Sequence, residues 1–158
     1  MSNNRMLTGI AIGVFALLAA VNNVQAQDTQ VVLTVTDPAH EGVEVGQSKL
    51  VKGVASIPSG YHVWLLVRRE DFTGVWWPQA EGPVDPKTKE WKANVTFGKA
   101  EDVGWKFELA AIVVSDEEHI RLQDYRTKAM LSGDWKPIEM PPTLGAPKIL
   151  KVKKTSHK

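Results

Sequence analysis

Apolar and polar positions alternate with period two along much of residues 31–114. Trp91, Ala93, Val95 and Phe97 are separated by Lys92, Asn94 and Thr96, the pattern of a strand with one buried and one wet face, and Gly98 ends it. Residues 49–57 place Val51, Gly53, Ala55 and Ile57 on one face, closed by the turn signal Pro58-Ser59-Gly60. Residues 31–35 are a short β-branched strand stopped by Asp37-Pro38. Residues 61–69 contain Val63-Trp64-Leu65-Leu66-Val67, apolar at every position, so this strand is expected at the centre of its sheet and covered on both sides. Val75-Trp76-Trp77 predicts a short strand ending at Pro78, followed by a loop over 81–90 rich in Gly, Pro, Asp and Lys. Residues 105–114 begin with Trp105, Phe107 and Leu109 inward and Lys106 and Glu108 outward, then become wholly apolar. The second half of that strand is expected to lie deeper than the first.

At Ser115 the pattern changes. Ser115 can accept a backbone N–H, Glu118 stands at the reciprocal capping position, and Asp116 and Glu117 favour the positive end of a helix. A helix is expected over 116–131, with Ile120, Leu122, Tyr125, Ala129 and Met130 as its apolar face and Gly133 as its stop. Residues 135–147 contain four prolines and predict a crossing segment too poor in donors for a central strand. Residues 148–154 are the last strand. Six or seven short strands with one helix before the last predict an all-β fold, an antiparallel immunoglobulin-like β-sandwich, with Trp64 as the buried tryptophan of a central strand. A parallel α/β domain would need a helix between most strands.

Several of these segments together resemble a known domain. They are Gly53-Val54-Ala55-Ser56-Ile57-Pro58-Ser59-Gly60, Trp64-Leu65-Leu66-Val67, Trp77-Pro78-Gln79, Trp91 with Val95 and Gly98, and Phe107-Glu108-Leu109. This set is similar to an uncharacterised family of bacterial extracytoplasmic immunoglobulin-like β-sandwich domains, over about residues 50–115. The resemblance implies a fold and carries no catalytic residues.

Composition adds a destination. One cation, Arg5, precedes an apolar run over 7–21, then Asn22-Asn23 and Val24-Gln25-Ala26, with small residues at the −3 and −1 positions of a cleavage site. The run is shorter than the roughly 20 residues that span a bilayer. Residues 1–26 are therefore expected to be a signal peptide, 27–154 one domain and 155–158 a basic tail, with the protein periplasmic or secreted. Zero cysteine excludes disulfides and thiolate chemistry. Residues 27–147 carry 13 cations against 18 anions, whereas five lysines fall in 148–158. An acidic body argues against nucleic acid as a partner. The lysines are expected to guard a solvated edge strand. Membrane contact is expected only through an uncleaved signal or this lysine tail.

Catalytic templates find little here. There is no G-x-S-x-G turn, no S-x-x-K pair, no HExxH helix and no glycine-rich phosphate loop. The four histidines, His40, His62, His119 and His157, are scattered, so no metal site and no cofactor are expected. Arg68-Arg69-Glu70-Asp71 is expected to pair its charges at a strand end rather than supply acid–base catalysis. Asn94-Val95-Thr96 matches a glycosylation sequon but sits on the wet side of its strand. The adjacent tryptophans are the stronger lead. Neighbouring strand residues point to opposite faces, so if Trp77 enters the core, Trp76 faces out unless the proline-rich segment or the helix covers it. Trp76 and Trp135, with Asp71, Thr73 and Gln79, are the expected ligand-binding residues. The function expected is a non-catalytic binding module recognising an envelope protein or glycan. The alternatives are an assembly accessory pairing through the edge strand 148–154, or a small hydrolase.

Overall fold

The computed structural model describes residues 30–157. The signal segment expected over 1–26 lies outside the described residues. Eight strands form: β1 (Val32–Asp37), β2 (Val43–Val45), β3 (Ser48–Ser56), β4 (Tyr61–Arg69), β5 (Trp77–Glu81), β6 (Glu90–Thr96), β7 (Lys106–Ser115) and β8 (Lys148–Lys154). One α-helix, α1 (Asp116–Ser132), lies between β7 and β8. The strands make two sheets, ordered β1-β3-β6 and β2-β8-β7-β4-β5. Every pairing is antiparallel except β2 with β8. This agrees with the expected all-β class and its single helix before the last strand.

Alternation in the sequence builds the core between the sheets. The inward faces of β3 and β6 contribute Val51, Ala55, Trp91 and Val95 to the same buried cluster as Val63, Leu65 and Val67 of β4. Trp91 obtains its space from glycine. A Cβ at Gly53 would stand 2.2 Å from the Trp91 ring and 2.1 Å from the Thr34 carbonyl oxygen, and a Cβ at Gly82 would stand 2.9 Å from the same ring. Gly53→Ala is therefore expected to destabilise the domain by about 1–3 kcal/mol, the usual range for overpacking, as read in a denaturant melt.

β4 and β7 are apolar on both faces because the five-stranded sheet is covered twice. On its far side lies a second buried cluster of Trp64, Leu66, Trp76, Ala110, Ile112, Val114 and Leu122, against which Ile138 and Met140 pack. Trp64 is buried as expected, but beneath α1 rather than between the sheets. The cover is assembled by local signals. Ser115 Oγ accepts the Glu118 N–H at 3.4 Å, and Gly133, with φ of 74°, ends α1 while its N–H reaches the Ala129 carbonyl. Glu118 pairs with Arg121. The proline-rich segment then crosses the sheet. It exchanges two backbone hydrogen bonds between Ile138 and Trp76, and the Leu144 N–H donates to the Val113 carbonyl at 2.8 Å.

Four expectations are corrected here. Ile120 and Met130 are exposed, and α1 is held to the second core by Leu122, with Ala129 also buried. Trp105 precedes β7 and is 45% exposed instead of continuing its alternation inward. Glu108, expected on a wet face, is buried and hydrogen-bonded by Arg68. Finally, β8 is an edge only in its first half: β7 pairs with it along Lys148–Lys153, and the short strand β2 covers Val152–Lys154 on the other side. Lys154 itself is fully buried. Burial pushes its ammonium below the ordinary lysine range, against the opposing pull of Asp102 and Glu101.

Candidate functional site

The two adjacent tryptophans do point apart, with the roles reversed from expectation. Trp76 is only 3% exposed. Its backbone bridges Ile138, its ring lies 4.4 Å from the Arg68 guanidinium carbon, and it sits in the second core beneath the proline-rich cover. Trp76 is therefore not an exposed ligand contact. The outer face of the sheet is where α1 and residues 138–140 pack, the cover that the sequence left open as the alternative for Trp76. Trp77 begins β5 and stays partly exposed. β5 runs on through Pro78 because this strand pairs with β4 alone, so the missing N–H costs no second ladder.

Around Trp77 the fold gathers aromatic side chains from three segments. Phe72, in the β4–β5 loop, meets Trp77 edge-on at 5.3 Å. Trp77 donates its indole N–H to the Trp135 carbonyl at 2.9 Å. The Trp135 ring meets Tyr125 of α1 edge-on at 6.3 Å, and the Tyr125 hydroxyl donates to the Lys136 carbonyl at 2.6 Å. Burial raises the Tyr125 hydroxyl above its ordinary value, helped by Asp134. On the other side, the Arg69 guanidinium lies 4.9 Å from the Phe72 ring and 4.1 Å from Trp105. Asp71 and Asp102 bind the same guanidinium at 2.7 and 2.8 Å. The hydrogen bond from Arg69 draws Asp71 below the usual carboxylate range, and its counterpart from Asp71 raises Arg69. The result is a row of aromatic residues from Trp105 through Phe72 and Trp77 to the Trp135 backbone, with Arg69 lying over the rings of the first two. Phe72 is 43% exposed and Trp135 42%.

Of the expected ligand residues, Trp135 and Asp71 lie in this run, and Thr73 is exposed in the loop that carries Phe72. Gln79 is turned away: its Oε1 accepts the Thr96 N–H at 3.0 Å and its Nε2 donates to the Trp77 carbonyl at 3.2 Å. Phe72, Trp77 and Trp105 were missed. The signal for Phe72 was present, since a large aromatic between Asp71 and Thr73-Gly74 in a turn has no core to enter. The charged strand end does pair its charges, but only Arg69–Asp71 is local: Arg68 pairs with the buried Glu108 and Glu70 with Lys151.

The histidines are not all scattered. His62 of β4 and His119 of α1 stack with ring centroids 3.8 Å apart and planes 9° from parallel. Both nitrogens of His62 face carboxylates, Glu81 at 3.1 Å and Asp116 at 2.7 Å. His119 Nδ1 instead accepts the indole N–H of Trp64 at 3.0 Å. A cleft of about 340 Å³ lies alongside, lined in part by Tyr61, His62, Glu81 and Pro83. His62, Glu81 and His119 bring donor atoms within 4.8 Å of one another, close enough to suggest a metal site. The arrangement does not suit one. Imidazole lone pairs lie in the ring plane, and two parallel stacked rings cannot both aim at a single ion. The one lone pair of neutral His119 is also occupied by Trp64.

No family model and no curated protein matches the chain. Among solved structures it is similar to murine CRIg, with 9% identity, covering 80% of this chain and 99% of that one, at a TM-score of 0.32. Among the described residues, no helix is long and apolar enough to cross a membrane.

Proposed function

We propose that this chain is an exported, non-catalytic binding domain on an immunoglobulin-like β-sandwich, and that it holds a glycan chain on the aromatic run Trp105–Phe72–Trp77–Trp135. One observation carries the reading: aromatic residues of the β4–β5 loop, β5 and the proline-rich segment are linked one to the next, Phe72 edge-on to Trp77 and Trp77 hydrogen-bonded to the Trp135 backbone, with Phe72 and Trp135 exposed. Soluble domains seldom leave such a surface without a use. Separate ring faces suit the C–H faces of successive pyranose units, while Asp71 and Asp134 at the margin can accept hydroxyl protons. Arg69 is already paired with two carboxylates, which leaves the run with a net negative charge, so a neutral, hydroxyl-rich ligand fits better than a polyanion. The sandwich assignment is supported by strand order, with β3 and β6 in one sheet and β4, β7 and β8 in the other. The helical cover over Trp64 is a departure from that plan. Export is supported by the leader pattern in residues 1–26. The edge-pairing alternative loses part of its support, since β2 covers Val152–Lys154 and leaves only residues 148–150 of β8 without a second strand neighbour.

Tryptophan fluorescence titration against a polysaccharide panel tests the proposal. Phe72→Ala and Trp135→Ala are each expected to weaken binding about two- to tenfold, at the scale of about 0.5–1.5 kcal/mol per stacked ring, with the fold intact by circular dichroism. Trp76→Ala should instead destabilise the protein. Full affinity in both Phe72→Ala and Trp135→Ala would place the ligand elsewhere, and capture of an envelope protein through these residues would replace the glycan with a protein partner.

A further inference from the structure

We propose that the stacked pair His62–His119 is an acid-sensitive latch: it ties the first turn of α1 to the five-stranded sheet, and protonation of His119 releases it. The latch has three contacts. Trp64 of β4 donates to His119, His62 of β4 bonds Asp116 of α1, and the two imidazoles stack. The charged and titratable groups facing His119 are Glu81 from β5, His62 from β4 and Asp116 from α1 itself. Trp64 has no freedom to adjust, because its side chain is buried and its N–H points at the one lone pair of neutral His119. When His119 gains a proton at Nδ1, two donors oppose each other and the buried indole N–H loses its acceptor. The new cation also stands against the His62 ring, whose nitrogens already engage both nearby carboxylates. Leu122, one turn further along α1, is the helix side chain in the second core, so loosening the first turn weakens the docking of the whole cover.

The sign of the pH dependence follows. Desolvation is the largest influence on His119, His62 adds to it, and together they hold it below the ordinary 6.5 despite Glu81 and Asp116. The unfolded chain takes this proton near 6.5 and the folded chain only at lower pH. Stability is therefore full above that value, and falls as pH drops through it until the folded-state value is passed. The same loosening would shift Tyr125 and Trp135 relative to Phe72 and Trp77. That consequence rests on the proposed ligand surface, whereas the latch is tested without any ligand.

The test is an NMR titration of the folded protein from about pH 8 to about pH 5. The His119 ring protons should titrate below 6.5, and the Trp64 indole N–H resonance should move with the same midpoint. Amide exchange in the first turns of α1 should rise about tenfold or more across it, with central β7 amides unchanged. His119→Gln, which keeps an acceptor oxygen for Trp64 but no titrating group, should abolish these changes and flatten the acid limb of a denaturation series. If that variant fails to fold, the wild-type titration still decides. A Trp64 signal that stays flat while His119 titrates would overturn the latch, as would a His119 midpoint at or above 6.5. So would stoichiometric Zn²⁺ binding that suppresses the titration, since the pair would then be ligands.

Discussion

Trp64→Ala is expected to lower the unfolding free energy by about 3–5 kcal/mol, the scale of a buried aromatic truncated in a core. That is a large share of the 5–15 kcal/mol available to an ordinary domain. The side chain fills the space between β4, β7 and α1, where Leu66, Ile112, Val114 and Leu122 share its cluster. Alanine would leave that space empty and remove the only hydrogen bond that reaches His119 from the sheet interior. Trp64→Phe separates the two effects. It keeps most of the volume and loses the N–H, and His119 lies near enough to the surface for water to serve its nitrogen, so a loss of about 1 kcal/mol is expected. Denaturant melts of both variants measure the difference. A wild-type midpoint for Trp64→Ala would mean that α1 is not seated on this ring.

Much of the fold was legible because its strands obey simple alternation. The burial of Val95 on β6 and of Phe97 just after it, and of Val63–Val67 on β4, follows from pattern alone. So do both ends of α1, since Ser115 and Gly133 act locally. Failures came where a distant segment decides exposure. Nothing near Glu108 announces that Arg68 will bury it, and nothing near Trp76 announces that Ile138 will bridge it. The three-residue strand β2 was missed because Val43-Glu44-Val45 is too short to show a period. Its presence covers the last three residues of β8, which was expected to be an edge throughout.

The site was half legible for the same reason. Two consecutive tryptophans must diverge, and they do, but period two carries no information about which face is covered. Only the path of the proline-rich segment assigns Trp76 to the interior and Trp77 to the surface. Trp135 is exposed because a tryptophan among prolines and charges has no strand to bury it. The histidine pair could not be read from spacing, since 57 positions separate His62 from His119. Register brings them together: His62 pairs with Val114 at the end of β7, and α1 starts two residues later.

Lys154→Ala is expected to cost about 3–5 kcal/mol, an effect that a lysine in a basic C-terminal stretch would not ordinarily have. Its Nζ donates to Gln47 Oε1, to the Phe97 carbonyl at 2.9 Å and to the Lys99 carbonyl, so all three ammonium protons are used. These partners lie just before β3 and just after β6, so one side chain on β8 ties the two sheets together. Alanine would strand the carbonyls and open a cavity along the missing stem. Lys154→Met keeps the stem and removes the buried charge, so it should fall within about 1–2 kcal/mol of wild type. The alkaline limb adds a signature. An unfolded chain holds this proton to about 10.5, while burial makes the folded chain release it earlier, so the lysine makes stability rise with pH through that window. In Lys154→Met this part of the rise should vanish, and denaturation series at neutral and alkaline pH measure it. An alanine variant as stable as wild type would show that the ammonium reaches water and that β8 is held by its backbone ladders alone.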